Sequence, residues 1–474
     1  MSQRRDNAVD IDPGGVGRSD GRKLNIVVEG CCHGELPIIY ASVLKMQQRQ
    51  GIKVDLLICC GDFQCLRNKQ DFRGLACPDK YKRLGDFHKY YSGELVAPVL
   101  TLFIGGNHEA SAYLQELHYG GWVAPKIYFM GFAGVIRVGG VRIAGLTGIY
   151  NGRHYKEGRY ERPPYSPDTL RSVYHVRELE VFKLAQLSGH VDVCLSHDWP
   201  RGIAQHGNMN ALFRKKAFLK PEVEDNSLGS PAAEKLLHKI QPDFWFSAHL
   251  HVKFAAVVRH AAPREGQGRP GAEMTGVTRF LSLDKCLPNR RVDGDFLQLV
   301  SVPRPDGEGG EGSEVLVEYD VEWLSIVKAS HHLISTFRGR VEMPFETPRV
   351  EASRRKAIRD ALAARGLPGG PVVIPDNFEM TAPTESQLTP QEQGRSLTLL
   401  PNPQTDELLS LLGVDHVVTV PCSNWEPFRD SSAEAAGGDA AGNGDQGWDE
   451  HTGFPFEIDV VGTRLDPNEI ELDD

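Results

Sequence analysis

A chain of 474 residues, 40% hydrophobic and 24% charged, has the composition of an ordinary globular protein, and its length suits roughly two to four domains. No run approaches the ~18 consecutive apolar residues of a membrane span, and residues 1–22 lack the apolar core of a secretory signal, so the composition argues against membrane residence and secretion. The net charge of −10 does not advertise a nucleic-acid binder, but much of the negative charge lies at 308–314 and 466–474, and local basic patches or metal ions suffice to hold a phosphate backbone.

In chain order, the polar residues 1–22 read as a disordered leader. Short apolar runs at 24–29, 54–60, 99–105, 141–147, 191–196 and 244–248 predict buried strands, because they are rich in Val, Ile, Leu and Phe and most are followed by Gly, Asp, Asn or His. Residues 37–50, 110–118 and 173–187 predict helices between them, with Pro37 suited to a first helical turn. Runs at 254–259, 278–283 and 296–302 add a second set of strands, and the whole suggests a layered α/β sandwich over 23–302. The nine cysteines are an odd number, and with no signal they predict free thiols in a reducing compartment. Cys60, Cys77 and Cys194 read as small buried hydrophobes.

Residues 148–170 break this pattern. They hold Tyr150, Arg153, His154, Tyr155, Lys156, Arg159, Tyr160, Arg162 and Tyr165, and are long for a connection. The composition fits two readings equally: an RNA-contacting loop that pairs cations with stacking rings, or a solvated surface loop. Residues 303–422 predict a smaller helical domain, with helices at 319–332, 350–365 and 405–412. Residues 423–474 are acidic and poor in branched apolar residues, so they are expected to be a disordered tail.

Five motifs arrive at strand ends: Gly30-Cys31-Cys32-His33, Gly61-Asp62, Gly105-Gly106-Asn107-His108-Glu109, Ser196-His197-Asp198 and Ala248-His249-Leu250-His251. A lone histidine is most often structural, but donors at the carboxyl ends of several strands converge on one crevice. Two divalent ions ~3.5–4 Å apart neutralise a phosphodiester, acidify a water and stabilise the leaving oxygen. Asp62, with two oxygens, suits a bridge between them.

The order of these motifs resembles the calcineurin-like metallophosphoesterases, whose pattern is D-x-H, G-D, G-N-H-[DE], a lone histidine and G-H-x-H. Here Cys31 replaces the first aspartate and Ala248 the last glycine. The resemblance implies a β-sandwich flanked by helices. It implies one metal held by Cys31, His33, Asp62 and His251, and another by Asp62, Asn107, His197 and His249. His108 would protonate the leaving oxygen, a role suited to imidazole, and Glu109 or Asp198 would orient the imidazoles.

Cysteine at position 31 is typical of one branch of that superfamily, the RNA lariat debranching enzymes. Residues 28–36 (VEGCCHGEL), 61–68 (GDFQCLRN), 148–155 (GIYNGRHY) and 278–288 (TRFLSLDKCLP) are similar to the same family. The resemblance is dense over 23–302 and looser to about Val414. It implies hydrolysis of the 2′–5′ bond of branched RNA, with 148–170 as the lariat recognition loop and 303–422 as a C-terminal domain. Tyr150, Arg153, His154, Tyr155, Lys156 and Arg159 are the expected RNA contacts. A thiolate favours zinc or iron over magnesium, so the expected cofactors are two divalent ions drawn from Fe2+, Zn2+ and Mn2+. Nuclear residence follows from the expected substrate; splicing-associated proteins are expected partners, and a monomer is the expected state. The metal motifs alone also suit a phosphomonoesterase or nuclease on the same fold. A non-catalytic scaffold is the third reading, disfavoured because His108 and all the expected donors are present.

Overall fold

The computed structural model describes residues 23–260, 276–287, 294–304, 315–344, 352–364, 372–419 and 421–422. The expected leader 1–22 and acidic tail 423–474 lie outside the described residues. Two sheets pack face to face. The first has six strands in the order Leu297–Pro303, Lys23–Glu29, Leu56–Cys59, Thr101–Phe103, Ile127–Phe129 and Gly121–Ala124. The second has seven: Phe254–Arg259, Val277–Ser282, Phe244–Ser247, Val193–Ser196, Val141–Leu146, Ala133–Val138 and Val317–Tyr319.

The central strands are apolar at nearly every position because both faces of each sheet are covered. In Lys23–Glu29, Ile26 and Val28 enter the core between the sheets, where they meet Leu56, Ile58, Leu102, Leu195 and Phe246. Val27 points the other way, to the layer built on Leu36, Ile39 and Val43 of the helix Leu36–Gln50. The outer face of the second sheet, including Cys194 and Trp245, is covered by residues of Glu178–Ala185, Pro231–Ile240 and Val321–Ser330. This period-2 division puts the loops after Glu29, Cys59, Phe103, Ser196 and Ser247 at the carboxyl ends of strands that run parallel within each sheet.

All nine expected strands are present, shorter by one or two residues at some ends and longer by one at others. Gly121–Ala124, Ile127–Phe129 and Ala133–Val138 were not legible, because three strands are compressed into one apolar, glycine-broken stretch. The helix expected at 173–187 starts only at Glu178, after a separate helix Pro167–Ser172 capped by Ser166 and Thr169. The nine cysteines are all free. Among the described residues no helix is long and apolar enough to cross a membrane.

The C-terminal part is not purely helical, a correction to the sequence reading. Val317–Tyr319 pairs antiparallel with Ala133–Val138 and completes the second sheet. The helix expected from 319 therefore begins at Val321, where the Asp320 carboxylate accepts the Trp323 N–H. Fully buried Arg142 reaches Asp320 at 2.8 Å and Glu322 at 2.9 Å. On the other side, Arg67 pairs with Asp71 and Glu116, and the Asn68 amide donates to Pro383 O at 2.7 Å. Arg67 and Asn68 close the GDFQCLRN stretch, and Arg67 also reaches Thr381 Oγ1 at 3.4 Å, so the end of that motif holds the C-terminal chain.

Candidate metal centre

Cys31 Sγ and donor atoms of His33, Asp62 and His251 lie within 4.8 Å of one another. The Nε2 atoms of His33 and His251 approach to 3.4 Å, and His33 Nε2 is 3.7 Å from Asp62 Oδ2. Asp62 turns its other oxygen to the second group: His197 Nε2 is 3.5 Å from Oδ1 and 3.2 Å from Asn107 Oδ1, and the His249 ring lies 5.1 Å from the His197 ring. Asp62 is the shared member of both sets.

Backbone geometry makes this convergence possible. His33 (φ 48°), Asp62 (49°), His249 (63°) and His251 (48°) all adopt the left-handed conformation, which costs a non-glycine residue roughly 1–3 kcal/mol where it is strained. Two glycines make room for the ligands. A Cβ on Gly61 (φ 118°) would lie 2.2 Å from His197 Nδ1, and one on Gly106 would lie 2.2 Å from Asp62 Oδ1.

Tautomers follow from the carbonyls nearby, which can only accept. His197 Nδ1–H donates to Cys60 O at 2.7 Å, leaving Nε2 bare toward Asp62 and Asn107. His108 Nδ1–H donates to Ala76 O at 2.9 Å, and its backbone N–H donates to Asp62 Oδ1 at 2.9 Å. Neither carbonyl left a trace in the sequence, since a backbone acceptor has no residue identity.

Glu109 and Asp198 do not orient imidazoles through their carboxylates, as expected, but hold backbone. Glu109 accepts the N–H groups of Phe63, Gln64 and Gly106, each at 2.9 Å, and so ties two ligand loops together. Asp198 accepts the Tyr150 N–H at 3.2 Å and anchors the start of the tyrosine-rich loop beside His197. Burial raises the Glu109 carboxyl to about 8 and that of Asp198 to about 6.

The donor set fits divalent cations. Burial lowers the His33 imidazole to about 4 and that of His249 to about 3, so both are neutral, the ligating form. Burial opposes ionisation of Asp62, but His197, His108 and His33 outweigh it and hold the carboxyl well below its usual range. Burial, then the charges of Asp62 and Glu29, pushes the Cys31 thiol up; a cation at this position is what makes a thiolate favourable. Lys285, in the TRFLSLDKCLP stretch, pairs with Cys31 through a backbone bridge, and its charge acts on both His33 and His251.

The expected RNA contacts divide. Arg153 is exposed, and Tyr150, His154, Tyr155 and Lys156 are half-buried. His154 Nδ1 hydrogen-bonds His175 Nδ1 at 2.8 Å. Arg159 is a correction: it is 5% exposed, sits over the Phe132 ring, approaches Glu180 at 3.4 Å and donates to Val173 O. It braces the loop from within, with its guanidinium taken up by protein groups.

Two sheets with these donors at their strand ends define a calcineurin-like phosphoesterase, and residues 24–253 match the model of that family. Residues 275–417 match the lariat debranching enzyme C-terminal domain. The chain is 45% identical to the lariat debranching enzyme of Danio rerio, over 95% of this chain and 77% of that one. It is 45% identical to lariat debranching enzyme A of Xenopus laevis (95% and 81%) and 46% identical to the human lariat debranching enzyme (82% and 69%). The chain belongs to the lariat debranching enzyme family and is a phosphodiesterase.

Proposed function

We propose that the chain hydrolyses the 2′–5′ phosphodiester at the branch of excised intron lariats, releasing linear RNA for turnover. The observation that carries this reading is the donor cluster of Cys31, His33, Asp62 and His251 within 4.8 Å, in a chain whose relatives are lariat debranching enzymes. Cys31, His33, Asp62 and His251 would hold one cation, and Asp62, Asn107, His197 and His249 would hold the other. Two divalent cations, drawn from zinc, iron and manganese by the mixed thiolate and imidazole donors, supply charge neutralisation and an acidified water at this position.

The protein's own groups do the rest. His108, its Nδ1–H held by Ala76 O, acts as the imidazolium: its Nε2–H gives the proton to the departing 2′ oxygen of the branch nucleotide, which leaves the ring neutral. Asn107 contributes an uncharged oxygen, which leaves the pocket more attractive to an anion. The products are a 2′-hydroxyl at the branch residue and a 5′-phosphate on the released strand. Tyr150, Arg153, His154, Tyr155 and Lys156 bind the splayed nucleotides through stacking and phosphate contacts. The substrate argues for nuclear residence and for a meeting with splicing-associated proteins, and we take the protein as a monomer.

The test is turnover of a synthetic 2′–5′ branched RNA by metal-analysed full-length protein, beside linear RNA and p-nitrophenyl phosphate. Cleavage confined to the branch is expected. Equal or faster hydrolysis of linear RNA or of the monoester overturns the reading.

A further inference from the structure

The loop over 148–170 does not stand alone. A segment far away in sequence runs beside it: Arg159 N–H donates to Ser335 O at 2.7 Å, Gly158 N–H to Phe337 O at 3.1 Å, and Val341 N–H to Lys156 O at 2.7 Å. Glu157 and Arg340 form an antiparallel bridge. Gly158 is required for this approach, because a Cβ there would meet Ser335 O at 2.5 Å and Phe337 O at 2.6 Å. The two segments are one backbone-paired unit.

That unit displays an aromatic ring and cations. Phe337 is 69% exposed, the most exposed large hydrophobic residue among those described. A single exposed apolar side chain is ordinary, but this one is pinned by its carbonyl and flanked by charge. The Arg338 guanidinium lies 5.3 Å from the Tyr160 ring centroid. Arg338 and Arg340 are 55% and 64% exposed. Their pairs with Asp168 and Glu342 are solvent-exposed and so hold them weakly against a competing phosphate. The paired loop begins where Tyr150 is tied to Asp198, next to His197. From Tyr150 to Gly158 the chain spans at most about 29 Å even when extended, so Gly158 and the segment paired with it lie within that reach of Tyr150.

We infer that residues 335–341 are a second wall of the RNA-binding surface, with Phe337 as a stacking platform for an unpaired base and Arg338 and Arg340 as contacts to its phosphates. The inference rests on the proposed reading of 148–170 as an RNA-binding loop. An unpaired RNA strand is the occupant the chemistry selects: every base offers a face to stack on, and the cations beside the ring match the backbone charge.

The experiment uses full-length protein with Phe337→Ala and Phe337→Trp. Phe337→Ala is expected to raise the KM for branched RNA about tenfold, the scale of one lost stacked base. Its kcat, its hydrolysis of bis-p-nitrophenyl phosphate and its melting temperature stay at the parent values. Phe337→Trp, placed beside His108→Ala to keep the RNA intact, retains binding, and its added emission is quenched on titration with branched RNA. An unchanged KM for Phe337→Ala overturns the inference, as does emission that ignores RNA. A parallel loss on both substrates makes Phe337 structural, and loss of a protein contact with RNA binding intact assigns the patch to a protein. Failure of the parent protein to cleave branched RNA sinks the proposed activity instead, while the emission titration still decides whether RNA lies on Phe337.

Discussion

The metal pocket and the surface around the tyrosine-rich loop are built in opposite ways. Every donor in the pocket lies within a few residues of its own strand, so the strand order in two facing sheets, with the left-handed turns after them, delivers Cys31, Asp62, Asn107, His197 and His249 to one crevice. The recognition surface is assembled from two segments that meet only through tertiary pairing, Gly158 with Phe337 and Lys156 with Val341. Chemistry that tolerates little displacement is fixed to rigid strand ends, and recognition that must accept a bulky branched polymer is carried on a braced loop.

Perturbing the pocket should harm every substrate, whereas perturbing the loop should harm only RNA. His108→Ala gives the largest expected effect, a loss on the order of 10²–10⁴-fold in kcat on branched RNA, and a smaller loss on bis-p-nitrophenyl phosphate, whose leaving group needs no proton. Its metal content, measured by mass spectrometry, stays near the parent. Turnover within a few-fold of the parent would remove His108 from the mechanism.

Cys31→Ala comes next. His33 and His251 are then left with only the shared Asp62, so the first cation is expected to be lost before the second. Cys31→Asp, with a harder donor, is expected to keep part of the activity and shift preference toward manganese or magnesium. Metal analysis with turnover in zinc, iron and manganese reads both; parent-like content and preference in Cys31→Ala would make Cys31 a packing residue.

On the recognition side, excising the loop would be a poor experiment, because Glu161 is wholly buried and paired with Arg177 inside it. Arg153→Ala with Lys156→Ala spares that core. We expect KM for branched RNA to rise roughly tenfold and its salt dependence to weaken by about one phosphate contact per cation, with small-diester hydrolysis unchanged. KM measured between 50 and 200 mM salt decides it, and an unchanged slope would leave these cations idle.

The smallest expected effect is on stability alone. Lys183, beneath the loop near Glu180 and Arg159, is 4% exposed, and burial lowers its ammonium to about 8 from an ordinary 10.5. The folded state binds this proton less tightly than the unfolded chain does. The associated stability is therefore full above about 10.5 and lost as pH falls through about 8. Lys183→Met should raise the melting temperature by a few degrees at pH 7, with the gain shrinking toward pH 10. A gain that did not change with pH would show that the ammonium is not the cause.

Much of the site was legible because its signals are local. An apolar run followed by Gly-Asp or Gly-Asn-His states both a strand and the donor at its end, whatever the rest of the chain does. The buried fate of Arg159 was not legible: an arginine among tyrosines reads as a phosphate contact until Phe132 and Glu180 are known to lie beneath it. The edge strand Val317–Tyr319 was missed for a similar reason, since three residues carry no period and take their conformation from Ala133–Val138.

By itself, then, the order of residues determined which donors this protein owns, that they stand at strand ends, that Asp62 suits a bridge, and that a thiol stands at position 31. Only the tertiary structure decided that His197 and His108 are turned by the carbonyls of Cys60 and Ala76, that His33, Asp62, His249 and His251 take left-handed backbone, and that Phe337 stands beside the loop. The reason is physical. Strand identity follows from side chains a few residues apart, whereas register, tautomer and loop pairing depend on backbone groups that are alike at every residue and acquire meaning only from what the fold brings against them.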